Sequence, residues 1–285
     1  MKFGISIRNM DKFADFDNLI ALALDAEDAG WDGIFLWDHL LHKSKIQRDI
    51  IDPWIALSAI AANTKKILLG PLITPITRRR PWKVAKEAVS LDHLSKGRLI
   101  LGVGLGWPPY NDFERFGDEG DARIRGEMLD EGLDIMEGLW SGKPFGYDGV
   151  HYQIREDTVF LPKPYGGKSR IPIWVGGGAW SGRKKPFRRA ARFDGCTPSY
   201  SIKDGEWGAR HFAAIAGYIQ QFRQDLDGFE FVTWGQAPRK KDKVVPFFNP
   251  MVQGGIITWW IEKVYSWPGD IEAIRRKLRK GPPSL

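Results

Sequence analysis

Apolar positions along the chain follow two alternating rhythms. Short runs in which almost every residue is apolar occupy 3–7, 33–37, 67–73, 98–103, 171–175, 194–197, 229–234 and 255–260. Between them, apolar residues recur every three or four positions at 16–29, 54–63, 81–95, 122–140, 184–192, 206–225 and 269–279, the spacing of helices with one buried face. On 16–29 the apolar positions are Phe16, Leu19, Ile20, Ala23 and Leu24. Gly30 and Gly97 stand where a glycine closes a helix, and Pro81 sits in a first turn. Segment 122–140 is the clearest: Ile124, Met128, Leu129, Leu133, Met136, Leu139 and Trp140 make one stripe, with Glu127, Asp130, Glu131 and Asp134 opposite. Two short strand-like pieces at 151–154 and 158–161 predict a small hairpin, and Pro238, Pro246 and Pro250 argue against a long regular helix over 236–253.

Runs that are apolar on both faces suit strands buried in a parallel sheet. Eight of them alternating with helices in 285 residues predict an α/β fold, a closed (β/α)8 TIM barrel. A doubly wound open sheet is the alternative. No internal repeat or Ser/Gly linker divides the chain, so residues 1–285 read as one domain.

Charge and composition narrow the classes. The chain has 42 Lys+Arg and 35 Asp+Glu, a net charge of +7. The basic residues cluster at Arg78–Arg80 with Lys83 and Lys86, at 183–192, and at 275–280. Each cluster lies on or near a predicted helix, which suits solvated faces or one phosphate-bearing ligand. No helix-turn-helix, zinc-finger or RNP-type signature supports nucleic acid. Cys196 is the only cysteine, which excludes a disulfide framework and cysteine-based zinc clusters. Apolar runs fall far short of 18 residues, and Met1–Ser6 lacks an uninterrupted apolar core for a secretory signal. The expectation is a cytoplasmic protein with no membrane or nucleic-acid partner.

Active-site residues of such barrels lie at the C-terminal strand ends. Asp38-His39, after the second run, is the best proton-transfer candidate, since an imidazole titrates near neutrality. A capping Asp beside a satisfied His is the plainer reading. His42 follows three residues later, but no third metal ligand is apparent, so no metal is expected. Gly102-x-Gly104-Leu105-Gly106 falls short of a dinucleotide fingerprint; such glycines could let a flat ring lie against the backbone. Gly176-Gly177-Gly178 before a basic helix, with Arg183, suits a phosphate. Among thirteen tryptophans, Trp37, Trp107, Trp180, Trp259 and Trp260 fall at or just beyond predicted strand ends, as walls for a planar ligand, and Glu262 follows the eighth run.

The run Ala26-Glu27-Asp28-Ala29-Gly30-Trp31-Asp32-Gly33, closing with Asp38-His39, resembles the bacterial-luciferase-like flavin-dependent oxidoreductases. Further stretches match in order: Leu69-Gly70 through Thr74-Pro75 to Arg80-Pro81, Leu91 to Leu99 with Gly102–Gly106, and Phe113-Glu114-Arg115-Phe116-Gly117. Later come Leu133 to Gly142, Leu161-Pro162-Lys163-Pro164, Pro172 to Gly177, and Arg188 to Arg192 with Asp194-Gly195. The resemblance implies a barrel that binds FMN or the deazaflavin coenzyme F420. It acts as an oxidoreductase or monooxygenase on a small organic substrate, with a separate flavin reductase as a partner and homodimers common. It implies cofactor contacts at Asp38, Thr74, Gly104, Leu105, Gly106, Gly177 and Gly178, and a ring-contacting or proton-shuttling role for His39. It also implies a non-prolyl cis peptide within Pro71–Thr74. The family's sugar-phosphate dehydrogenases carry an acidic residue just after the fourth-strand glycines; Trp107 stands there instead. Residues 236–253 are too short for the long mobile insertion of the luciferases. A barrel of the same family that has lost its cofactor or its redox role is the competing reading.

Overall fold

A computed structural model of the chain describes residues 1–42, 47–178, 184–198, 205–238 and 240–284. The strands are β1 (Lys2–Ile7), β2 (Gly33–Leu36), β3 (Leu68–Pro71), β4 (Thr74–Pro75), β5 (Leu101–Gly104), β6 (Phe145–Asp148), β7 (Gln153–Thr158), β8 (Ile173–Gly177), β9 (Gly195–Pro198), β10 (Glu230–Gly235) and β11 (Trp259–Lys263). The main sheet runs β3-β2-β1-β11-β10-β9-β8-β5-β4, and its paired strands are parallel. β3 and β4 are two pieces of the third strand. β3 pairs with β2 and β4 with β5, so this broken strand joins the two ends of the sheet into a (β/α)8 barrel. The expected non-prolyl cis bond is present, at Leu72–Ile73 between the two pieces.

The helices are α1 (Phe16–Asp28), α2 (Pro53–Asn63), α3 (Pro81–Leu94), α4 (Pro109–Asp112), α5 (Ala122–Trp140), α6 (Lys185–Ala190), α7 (Gly205–Ile219), α8 (Lys241–Gln253) and α9 (Ile271–Leu278). Their starts are chemically marked. Asp15, Asp52, Asp121 and Asp270 each accept backbone N–H bonds at an N-terminus, and Pro53 and Pro81 occupy first turns. α5 covers the expected span, burying Leu129, Leu133, Met136, Leu139 and Trp140. Its acidic face meets basic side chains: Arg189 chelates Asp130, and Arg192 pairs with Asp134. Part of the second basic cluster is thereby tied to α5 rather than left for a ligand. On α1 the buried stripe is Leu19, Leu22, Ala23 and Ala26, whereas Phe16 and Leu24 are exposed.

Strand alternation divides the apolar residues into two bodies. Ile5, Ile7, Ile34, Leu36, Val103 and Val175 join the layer between sheet and helices. Phe35, Ile100, Trp174, Val232, Trp259 and Ile261 form a separate cluster filling the barrel interior. Its rings meet edge-on or tilted, with Phe35–Trp174 and Trp174–Trp259 centroids each 5.2 Å apart.

Three sequence expectations shift. β11 starts at Trp259, four residues later than the apolar run does. The hairpin is β6–β7, because the Glu131 carboxylate accepts the N–H groups of Val150, His151 and Tyr152 and makes that segment the turn. Residues 241–253 are helical despite Pro246 and Pro250. Burial of Phe248 and Met251 outweighs the lost donors; the Phe248 ring lies 5.1 Å from Trp260 and 5.5 Å from Phe3.

Candidate active site

The C-terminal strand ends gather a buried polar network around the third strand. Asp38, just past β2, is 5% exposed, and three neighbours donate to it. The Thr74 hydroxyl donates to Oδ2, Arg78 Nη2 to Oδ1 at 2.5 Å, and Arg79 Nη2 lies 3.3 Å from Oδ2. Arg78 Nη2 also reaches the Asp38 carbonyl at 3.3 Å. Thr74 accepts in turn from the Trp54 indole at 3.3 Å. A buried carboxylate is tolerated when opposite charges and hydrogen bonds fill its lone pairs, and here they do. Asp38 and the 0%-exposed Thr74 are therefore bound into the wall of the mouth.

His39 is held from beside. Its Nδ1 lies 2.5 Å from Oδ2 of Asp112, the last residue of α4. The other oxygen, Oδ1, accepts the N–H of Leu41 at 2.9 Å and of His42 at 3.0 Å. Asn111 Nδ2 donates to the His42 carbonyl at 2.7 Å, and Asn9 Nδ2 to the His39 carbonyl at 3.0 Å. His42 sits at φ +57°, in the left-handed region, where these bonds hold it. The loop after β2 and the loop after β5 are thus clasped across the third strand. Burial pushes the Asp112 carboxyl up, but the bond from His39 and the Leu41 and His42 amides bring it below the usual range. Arg78 Nη1, 3.7 Å from Oδ2, adds positive charge from below.

The opposite side of the mouth is aromatic. Trp37 donates its indole N–H to Ser6 Oγ at 3.1 Å and packs 4.6 Å from Tyr265 and 5.5 Å from His39. Trp234 donates to the Pro198 carbonyl at 2.8 Å and carries Lys263 Nζ 4.5 Å above its ring. Burial lowers the Lys263 ammonium and raises the Tyr265 hydroxyl to about 12. A groove of about 400 Å³ lined by Trp54, Ile55, Arg79 and Leu94 lies outside, between α2 and α3.

The remaining expected site residues divide by strand face. A Cβ on Gly104 would lie 2.2 Å from Ile73 Cδ1, and one on Gly176 3.0 Å from the same atom. The half-buried Ile73 side chain therefore covers these glycines, and a flat ring would meet Ile73 rather than bare backbone. Gly106, at φ +77°, is crowded by Phe113 and Pro75, and the Leu105 carbonyl accepts from buried Arg125 at 2.6 Å. A Cβ on Gly177 would touch Pro186, whereas Gly178 has open space around it. Trp107 is 73% exposed.

Trp259 and Glu262 are corrected. With β11 displaced along the chain, Trp259 begins the strand and is buried in the interior cluster at the end away from the mouth. Glu262 points outward, 3% exposed, and accepts from the Trp260 and Trp267 indoles and the Ala237 N–H. The inward residues at that strand end are Lys263 and, on β10, Trp234. Trp180 and Arg183 lie outside the described residues. Asp112 escaped the sequence reading because its loop carries no periodic signal. Arg78 and Arg79 were read only as a basic cluster; their spacing after Thr74 was the available clue.

Residues 1–214 match the family model of the luciferase-like monooxygenases. The chain belongs to that family. Among relatives of this luciferase-like protein, the F420-dependent glucose-6-phosphate dehydrogenase of Microbacterium testaceum is 29% identical over 164 residues, which is 56% of this chain and 46% of that one. The luciferase-like barrel also superposes on the coenzyme F420-dependent tetrahydromethanopterin reductase of Methanopyrus kandleri, with TM-score 0.75, 16% identity and 98% of each chain covered. The monooxygenase RslO1 of Streptomyces bottropensis gives TM-score 0.77 at 19% identity over 98% of this chain and 97% of that one. Among the described residues no group of three or more His, Cys, Asp or Glu could hold a metal ion, and no helix is long and apolar enough to cross a membrane.

Proposed function

We propose that this luciferase-like protein is an oxidoreductase that uses a flavin-type coenzyme, FMN or F420, on a small organic substrate. The observation that carries the reading is His39, fixed at the mouth of a luciferase-like barrel with Nδ1 on Asp112 and Nε2 left for a ligand. The residues present fit such a group. Ile73 and Leu72 offer a half-buried apolar floor, and Gly178 leaves room for a backbone-bound phosphate beyond β8. Trp37, Trp234 and Tyr265 wall the far side. When bound, the coenzyme supplies hydride transfer or, as reduced FMN, O2 activation. His39 takes or gives the accompanying proton at Nε2. The buried Asp38–Arg78–Thr74 network keeps the third-strand wall in place beneath it.

The identity to F420-dependent dehydrogenases supports F420, and a neighbouring fold solved in complex with FMN supports FMN. Trp107 stands where the family's sugar-phosphate dehydrogenases carry an acidic residue, which argues against a sugar-phosphate substrate.

Titrating the full chain with FMN, FMNH2 and the oxidised and reduced forms of F420, followed by absorbance and fluorescence, tests the reading. Micromolar binding of one of them is expected and chooses the branch. Absence of binding by all four overturns the reading in favour of a barrel that has lost its coenzyme.

A further inference from the structure

We infer that Asp112 is the positioning residue for His39, and that it fixes the neutral imidazole with its proton on Nδ1 and its lone pair on Nε2. This deepens the proposed function and rests on His39 being its proton-handling group. An ionised carboxylate only accepts hydrogen bonds, so the 2.5 Å contact requires Nδ1 to donate. The carboxylate has little freedom to do otherwise. It is 1% exposed as a side chain, and Oδ1 is committed to the N–H groups of Leu41 and His42. The bond from His39 and those two amides hold it ionised against the cost of burial, and Arg78 Nη1 lies 3.7 Å from Oδ2.

Among the described residues, the groups facing His39 are few. Asp112 lies on its Nδ1 side. The His42 ring is 4.6 Å away and the Trp37 ring 5.5 Å. Arg78 acts on it through Asp112, and Asp38 is screened by Arg78 and Arg79. Asn9 and Asn111 fix the backbone on either side of the loop. Ring orientation and tautomer are therefore set before any ligand arrives, which removes an ordering cost from the chemical step. With an alcohol at the mouth, Nε2 would take the hydroxyl proton, and a bound oxidised flavin-type coenzyme would supply the acceptor for the carbinol hydride. The resulting imidazolium is stabilised by Asp112, which stays ionised. Carbonyl reduction runs the same proton path backwards.

The test is long-range 1H–15N NMR of the histidines in the full chain, with the His39 signals assigned by their loss in His39→Gln. In its neutral form, wild-type His39 is expected as the Nδ1–H tautomer. Asp112→Asn should keep its oxygen on the Leu41 and His42 amides and turn its NH2 toward Nδ1. Neutral His39 then switches to the Nε2–H tautomer. Turnover should fall about a hundredfold or more with coenzyme affinity unchanged, and Asp112→Glu should restore part of it. A neutral wild-type ring protonated on Nε2, or an unaltered tautomer in Asp112→Asn, overturns the inference. The NMR arm needs no coenzyme, so a failure to bind FMN or F420 would remove the proposed function while the tautomer result still decides this one.

Discussion

The two ends of the barrel are built from the same strands and hold opposite chemistry. At the N-terminal end Phe35, Trp174 and Trp259 interlock as an aromatic plug among aliphatic side chains. At the C-terminal end, beyond the same strands, Asp38, His39, Thr74, Arg78 and Asp112 form a hydrogen-bonded cluster. A plug gains from excluding water and is indifferent to tautomer or charge. The cluster is stable only when every buried charge is answered, so each member constrains its neighbours. The plug should therefore govern stability and the cluster function, and substitutions can separate the two.

The largest effect is expected at His39. His39→Ala should lower turnover about 10²–10⁴-fold with little change in coenzyme affinity, measured by steady-state kinetics and titration. Unchanged turnover would end its assignment. At the other end, Trp259→Ala should cost about 3–5 kcal/mol of stability in urea unfolding, while the folded fraction binds coenzyme as before. Loss of binding without loss of stability would move Trp259 into the site. Glu262→Gln comes next, at about 1–3 kcal/mol, since it weakens acceptors for two buried indoles and the Ala237 amide without touching the mouth.

Acid should act on the cluster end. The folded-state Asp112 carboxyl lies below its usual range, so its stabilisation is complete above about pH 4, the unfolded value. It is lost as pH falls through the lower folded value. Unfolding midpoints followed downward from about pH 5 should drop less steeply in Asp112→Asn than in the wild type; equal slopes would contradict the shift. The smallest effect belongs to Trp107. At 73% exposure, Trp107→Ala should change stability by no more than about 0.5 kcal/mol, and any functional effect should appear in KM.

What the sequence disclosed follows the same division. α5 was legible to the residue because its stripe and acidic face are strictly periodic and Asp121 caps it. The strand order along the chain was legible from doubly apolar runs. The register of β11 was not: the run Ile256-Ile257-Thr258-Trp259-Trp260-Ile261 has no polar alternation to mark its faces. That slip reversed the assignments of Trp259 and Glu262 and left Lys263 unnamed. His39 could be named because it ends a strand. Its partner Asp112 is 73 positions away, and only the folded chain brings the two loops together. The prolines of α8 misled for another reason: local propensity was outweighed by packing of Phe248 and Met251 on the barrel.

Ile73 gives the glycines after the fourth strand a different meaning. Its methyl fills the space that a side chain at 104 or 176 would need. Selection against larger residues there would persist in a paralogue that had abandoned redox chemistry altogether. A search that scores Gly102-x-Gly104-x-Gly106 as a cofactor signature would thus be counting the shape of the neighbouring strand. On the proposed proton role, positions 39 and 112 are the ones to follow for retained activity.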